Sequence, residues 1–378
     1  MNRKIVFVAA FIVALFAVVA VTDEEYRILR PEGDHNHPGG DLSEKDLGWP
    51  KLNDIFENEH TFLMARLDQG YWFFLQIFAY KYGPQELWGI YGIVADDKGK
   101  KWFARREVKL KDIKLSHDNF SWQTGGTSVS GAYPQFNYVV REDAFGARLS
   151  VKCRFPGWRI GRTNLTADKK TYSDVYMHIP WGRVSGTLTL DGKEIPVTGN
   201  AYGDHFHGNQ RFDRADPLFY SVRALSALPG YPDMSIEATY NHFHPTFGKI
   251  STPGLIIMGQ DGFIKATLYS AINGQDFEMN RELGYYFPKR LIVKSDTEGF
   301  SFRGVFHAQR CIQVLDILAQ LPPYVRKVAE VFFKLPVMSK WDGVFEGIYT
   351  LNGKETKFKI RALSEINYVG GRDAIPKL

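Results

Sequence analysis

The segment GDHFHGN, Gly203 to Asn209, sets an aspartate and two histidines within four positions, and NHFH returns at Asn241 to His244. Ten histidines occur in 378 residues, so four of them fall in these two short stretches. Three kinds of chemistry fit. In a strand, side chains at i and i+2 share a face, so His205 and His207 project together, as do His242 and His244. If the two strands were neighbours, four imidazoles would converge on a site suited to zinc, copper, iron or nickel, with Asp204 and Asn241 behind them.

The second chemistry is acid–base. Histidine titrates near neutrality, and Asp204 would orient a ring or act as an acid if an apolar pocket raised its pKa. Such a group on the floor of an apolar cavity suits protonation of a carbon–carbon double bond. The resulting cation must be shielded from water and faced by aromatic rings, for which Trp181, Tyr202 and Phe206 are near in sequence. Strict strand alternation points Asp204 away from both histidines, and a bulge at Gly203 would be needed to unite them. The third possibility is a buried, hydrogen-bonded polar knot that fixes a barrel strand. No G-x-S-x-G, P-loop, HExxH or post-strand G-x-G-x-x-G motif competes, and no carboxylate pair has spacing that suggests glycosidase chemistry.

Strands must position these groups. From Gly70 onward, short apolar or alternating runs such as YWFFLQI (Tyr71–Ile77) and LWGIYGI (Leu87–Ile93) are separated by turn signals about every ten residues. Asp191-Gly192, Asp261-Gly262 and Asn352-Gly353 each lie between β-like runs, which predicts antiparallel hairpins in an all-β sandwich or barrel. One stretch departs from the pattern. Residues 309–338 have helical apolar spacing divided by Pro322-Pro323, which predicts a helix, a kink and a second helix on a barrel side or at a membrane-docking surface.

Hydrophobic residues at 44% and aromatics at 15% exclude global disorder. The net charge of +5 is spread along the chain with no basic block, so no nucleic-acid partner is expected. Cys153 and Cys311 allow at most one disulfide. At the N-terminus, Arg3-Lys4 precedes the uncharged apolar run Ile5–Val21, which has the layout of a secretory signal peptide. As a helix it would span roughly 25 Å against a hydrocarbon core of ~30 Å, which leaves an uncleaved anchor as the alternative. Residues 1–22 are thus expected to be a leader or anchor of an exported, periplasmic or secreted protein, and 23–52 a Gly- and Pro-rich linker.

Within His178–Asn209, residues Gly186, Asp191, Gly192, Val197, Gly199, Tyr202, Asp204, His205 and Gly208 resemble the signature of the lipocalin-like family of hydroxyneurosporene synthase (carotenoid hydratase) and AttH-like proteins. Gly70-Tyr71-Trp72-Phe73-Phe74 is similar to that family's tryptophan-rich first strand. The resemblance implies two tandem calycin-like antiparallel β-barrels, here 53–209 and 210–378, with the motif strand near their junction. It also implies a hydrophobic ligand such as a lipid, an isoprenoid or a carotenoid; no cofactor and no resident metal are expected. Carried over, catalytic roles would fall on Asp204 and His205, with Tyr202 beside them; His207 is a further catalytic candidate from its place in the motif, and Trp72, Trp181, Phe206, His242 and His244 are the expected ligand contacts. The sequence departs at His207, where the family usually has tryptophan. The expectation is an exported binder of a hydrophobic molecule; its alternatives are a cofactor-free hydratase, isomerase or cyclase, and a metal enzyme built on both HFH pairs.

Overall fold

The computed structural model describes residues 40–54, 57–82, 85–164, 170–209, 218–242, 251–281, 284–316, 327 and 337–369. The expected leader and His244 lie outside the described residues, as does the side chain of His242. Among the described residues, thirteen strands form the first sheet: β1 (Gly40–Asp41), β2 (Asn58–Leu67), β3 (Tyr71–Tyr82), β4 (Gln85–Asp96), β5 (Lys101–Val108), β6 (Lys114–Leu115), β7 (Phe120–Thr124), β8 (Thr127–Ala132), β9 (Gln135–Arg141), β10 (Phe145–Cys153), β11 (Trp158–Asn164), β12 (Tyr172–Leu190) and β13 (Lys193–Gly208). Nine form the second: β14 (Leu218–Ala227), β15 (Ser235–His242), β16 (Ser251–Gly259), β17 (Gly262–Thr267), β18 (Ala271–Asn280), β19 (Tyr285–Thr297), β20 (Phe300–Asp316), β21 (Val337–Leu351) and β22 (Lys354–Tyr368). Both are curled antiparallel sheets.

The first sheet is ordered β5-β4-β3-β2-β13-β12-β10-β9-β8-β7-β6, and the second β17-β16-β15-β14-β22-β21-β20-β19-β18. Two of the expected hairpins close in the geometry their residues favour. Asp191 and Gly192 have φ of 51° and 77°, and Asn352 and Gly353 have 49° and 79°, the paired positive φ that matches a tight turn to strand twist.

The alternation of side chains explains why the central strands read as nearly continuous apolar runs: both faces are buried. On β2, Leu63, Ala65 and Leu67 enter a core belonging to the first sheet, while Phe62 and Met64 face the other way. On β3, Phe73, Leu75, Ile77 and Ala79 join that first core, while Trp72, Phe74 and Phe78 do not. The second sheet has its own core around Val222, Ile236, Leu291, Phe345 and Ile360. A third core draws on both sheets. Phe62, Met64, Trp72, Phe74, Tyr91, Trp181 and Tyr202 of the first meet Leu225, Ile256, Met258, Ile312 and Leu363 of the second. The sheets therefore pack against each other through faces that carry an apolar layer of their own.

Two features differ from the sequence expectation. Residues 309–316 are not helical but the end of strand β20, and Val337 and Met338 open β21. The pairing of β20 with β21 slips between Ala308 and Arg310 and again between Cys311 and Gln313. Each bulge breaks the period of two, so Ile312 and Leu315 reach the inter-sheet core while Cys311 and Val314 pack on the second sheet's own core, and the spacing imitates a helix. Residues 317–336 lie outside the described residues apart from Lys327, which is helical. The stretch expected to be linker also has seated residues. Leu47, Trp49 and Leu52 pack in the first core, with Trp49 fully buried and its backbone amide donating to the Ser116 carbonyl. Cys153 in β10 and Cys311 in β20 are both free thiols.

Trp49→Ala is expected to lower the stability of the whole chain by about 3–5 kcal/mol, the cost of emptying a fully buried aromatic site. Chemical denaturation checks it; a loss under 1 kcal/mol would mean that the segment lies on the first core without supporting it.

Candidate functional site

Strand β13 sorts the motif into two environments. It pairs in unbroken register with β2 from Gly199↔Leu67 to Gly208↔Asn58. No bulge interrupts it at Gly203, so Asp204 and His205 point to opposite faces. The bulges lie in β12, between Tyr176 and Ile179 and between Ile179 and Gly182. They turn Met177 and Trp181 to the inter-sheet core and His178 and Ile179 inward. Gly203 makes room for this arrangement: a Cβ there would lie 2.9 Å from His178 Nε2 and 3.1 Å from the Phe62 carbonyl oxygen.

The inward face carries the histidines. His205 Nε2 contacts Glu59 Oε1 closely, and both side chains are 1% exposed. Burial pushes His205 well below its ordinary pKa, with His178, His207 and His60 adding to it. Burial also pushes Glu59 well above the usual carboxylate range, with Glu57 and Asp174 adding to it. The pair is thus held in its neutral form, packed against the rings of Trp49 and Tyr176. His207 Nε2 lies 2.9 Å from Glu57 Oε1, and its ring meets Tyr172 edge-on. Deeper in, the Tyr138 hydroxyl is 3.0 Å from His178 Nε2, and burial lowers the His178 pKa to about 3. This is the polar knot foreseen as the structural possibility for the motif.

The opposite face carries Asp204, and there the second sheet supplies its partners. The Tyr202 hydroxyl lies 3.0 Å from Asp204 Oδ2 and 2.7 Å from Glu237 Oε1, which comes from β15. Arg223 from β14 sits among three carboxyl groups. Its Nη1 donates to Glu365 Oε2 at 2.6 Å, its Nη2 is 3.6 Å from Asp204 Oδ2, and its Nε is 3.5 Å from Glu237 Oε1. Lys340 from β21 donates to the other Glu365 oxygen at 2.6 Å. The cations also rest on aromatic faces, Arg223 over Phe62 at 4.8 Å and Lys340 over Phe74 at 4.0 Å.

These environments separate the acids. Burial raises the Glu365 carboxyl, but Lys340 and Arg223 outweigh it and hold the pKa down to about 2. Burial pushes Asp204 well above the usual range, more than Arg223 and the Tyr202 hydrogen bond pull it down, and Glu237 adds to the rise. Glu237 is raised for the same reason. Asp204 Oδ1 and Glu237 Oε2 are buried without a hydrogen-bond partner among the described residues. A buried acid that keeps its proton near neutrality, inside an aromatic shell, can protonate an apolar substrate.

Of the residues singled out in the sequence, Tyr202, Asp204, Trp72 and Trp181 come together in or beside the inter-sheet core, and Phe206 faces the same way, stacked on His60 at 4.8 Å. Trp72 donates across the junction to Asp342 Oδ1 at 2.9 Å, and the Arg154 guanidinium covers Trp181 at 3.9 Å. His205 and His207 do not join them, which corrects their assignment as partners of Asp204. At position 207 the ring faces Glu57 in the first sheet, so the exchange of tryptophan for histidine leaves the junction aromatics in place. The strands that carry His205 and His242 are not neighbours, contrary to the arrangement a shared metal site would need. β13 pairs with β12 and β2, whereas His242 ends β15, which pairs with β14 and β16. Among the described residues no group of three or more His, Cys, Asp or Glu side chains is arranged to hold a metal ion.

Sequence reasoning missed Glu59, Arg223, Glu237, Lys340 and Glu365. For three of them a signal was present: Arg223, Glu237 and Glu365 are each the one charge in a short apolar or small-residue stretch, FYSVRAL, SIEAT and ALSEI, whereas Glu59 and Lys340 stand among other polar or charged residues.

His178 provides a pH test of the inward knot. Its folded pKa of about 3 lies below its ordinary 6.5, so the stability it contributes is full above 6.5 and is lost as pH falls toward 3. His178→Gln should therefore flatten the acid limb, with wild type losing up to about 1.4 kcal/mol more than the variant per pH unit between about 6.5 and about 3. Denaturant midpoints measured from pH 7 to pH 4 check it, and parallel curves would show that His178 is not held neutral.

No family model matches the sequence, and comparison with curated proteins gives no match. Solved structures do match. An AttH-type protein of Nitrosomonas europaea aligns with 90% of this chain and 100% of its own, at a TM-score of 0.60 and 14% identity. CghA, determined with Sch210972, aligns over 93% of this chain and 96% of its own at a TM-score of 0.61 and 12% identity. Kievitone hydratase from Nectria haematococca aligns over 88% and 97% at a TM-score of 0.52 and 10% identity. At such identities the likeness is one of fold, and the chain has the tandem lipocalin-like all-β fold that these three proteins share.

Proposed function

We propose that the protein binds an apolar, unsaturated small molecule at the junction of its two sheets and acts on it by acid–base catalysis without a cofactor, as a hydratase, isomerase or cyclase. The observation that carries this reading is the convergence of Asp204 and Glu237, from different sheets, on one tyrosine hydroxyl inside an aromatic shell. A carrier needs the apolar surface; it has no need of two acids held above their ordinary range. The fold supports the reading too, since one protein that shares it is named a hydratase and another was determined with Sch210972.

The chemistry follows from the placement. Asp204 gives its proton to one carbon of a double bond, whose π electrons form the new C–H bond and leave a cation on the neighbouring carbon. The carboxylate left behind is the counter-ion, so the enclosed charge does not change and Arg223 and Lys340 do not expel the cation. Water then adds to the cation, or a neighbouring carbon loses a proton, and Glu237 is the second carboxyl within the same network to receive it. Export, proposed from the leader Ile5–Val21, would place this activity outside the cytoplasm.

The test is to isolate the chain, extract and identify whatever apolar molecule accompanies it, and supply that molecule with related isoprenoids and polyenes to wild type, Asp204→Asn and His205→Ala. Asp204→Asn is expected to retain binding and to lose turnover by about 10²–10⁴-fold. His205→Ala is expected to lower stability while the folded fraction keeps its specific activity. Uptake without turnover by wild type would make the protein a carrier, and activity that depends on His205 but not on Asp204 would move the chemistry to the inward face.

A further inference from the structure

The inter-sheet site counts its own protons. Three carboxyl groups, Asp204, Glu237 and Glu365, share one buried space with two cations, Arg223 and Lys340. Among the described residues His60 from β2, Tyr91 from β4 and Tyr202 from β13 also face it, and Asp342 from β21 stands beside it paired with Arg310, a pair that adds no net charge. Burial lowers His60 to about 4 and pushes both tyrosines up, so all three are neutral near pH 7. If every carboxyl were ionised, a net charge of −1 would be enclosed by Phe62, Phe74, Tyr91, Leu225 and Leu363. Uncompensated charge in such surroundings is removed by protonation. One proton among the three acids makes the group neutral.

Geometry says where that proton is. Glu365 is bound on both oxygens by cations, Lys340 on Oε1 and Arg223 on Oε2, so it stays ionised. Asp204 and Glu237 both lie within hydrogen-bond reach of Tyr202, at 3.0 and 2.7 Å. A hydroxyl has one hydrogen to donate. It satisfies one carboxylate, and the other contact is favourable when a protonated carboxyl donates to the tyrosine oxygen.

We infer that Asp204 and Glu237 share a single proton through Tyr202, that the Arg223–Glu365–Lys340 group fixes the number at one, and that Tyr202 resets the site by relaying the proton between the two acids. The relay rests on the acid–base reading above; the proton count does not. After a turnover Asp204 is ionised and Glu237 protonated. Glu237 then donates to the Tyr202 oxygen as the Tyr202 hydrogen passes to Asp204, which restores the starting state with no net gain or loss. Asp204 and Glu237 are the catalytic residues of this scheme. Glu365 and Lys340 are positioning residues, which act by setting the charge.

The count is tested by infrared spectroscopy of the whole protein at pH 7, following the carbonyl band of protonated carboxylic acid. Glu59, which burial also raises, lies on the other face of β2 and is present in every variant, so each variant is read as a difference from wild type. Asp204→Asn and Glu237→Gln should each lose one protonated carboxyl. Glu365→Gln should lose it as well, although both proton-sharing acids are still present, because two cations then face two carboxylates. Lys340→Met should gain one. The double variant Lys340→Met/Glu365→Gln removes one charge of each sign and should return to the wild-type intensity, which distinguishes charge counting from general disruption of the fold. An unchanged band in Glu365→Gln, or a double variant that keeps the lower intensity, would overturn the count. Turnover is measured separately: an active enzyme with the wrong count sinks the shared proton alone, and an inactive one with the right count sinks the catalytic reading alone.

Discussion

The structure turns on a guanidinium in a place where charge is costly. The Arg223 side chain is 5% exposed and lies against the ring of Phe62, in the layer where the two sheets meet. A cation there is tolerable only if carboxylates surround it, and they come from both halves of the chain: Asp204 from the first sheet, Glu237 and Glu365 from the second. The ionic group therefore joins the sheets as well as forming the candidate site. Apolar packing alone would let one sheet slide on the other. A guanidinium with fixed donor directions specifies a register between them.

That register explains the unusual strands at the centre of each sheet. In a lone curled sheet, β2, β3 and β13 would face a core on one side and solvent on the other, and would alternate in polarity. Here they are covered twice, so hydrophobic residues fill both faces and the few polar ones stand out. Further polar bridges follow the same line. Trp72 bonds Asp342, Arg310 pairs with Asp342, Arg154 reaches Asp233, and Asn200 donates to the Ser226 hydroxyl. Each spans the junction or braces a residue that does, so the surroundings of Asp204 depend on contacts made well away from it.

The fold was legible in the sequence because its signals are local. Asp191-Gly192 and Asn352-Gly353 specify tight hairpins by themselves, and the resemblance carried by Gly186 to Gly208 named the architecture. The helical segment expected over 309–338 shows, in its described part 309–316, where local reasoning fails: two bulges shift the face of each residue, and a shifted strand has the apolar spacing of a helix. The site was half legible. Asp204, Tyr202, Trp72 and Trp181 were found because a motif marks them. Arg223, Glu237, Lys340 and Glu365 were not, because they come from four other strands and no spacing connects them. A charge alone in an apolar strand says that a partner exists without saying where.

The motif's own ambiguity was resolved by a rule the sequence already held. Adjacent residues in a regular strand face opposite ways, and nothing in β13 breaks that regularity. Asp204 and His205 are neighbours in the chain and belong to different environments. Asp204 is shaped by an arginine and a second acid; His205 is held neutral against Glu59 within the first sheet. The two sides still depend on each other through the strand they share. Glu59 and His205 fix β13 against β2 from within, and that fixes the direction in which Asp204 leaves it. The histidine beside Asp204 in the chain thus acts on it from behind the sheet, by holding the backbone that aims it.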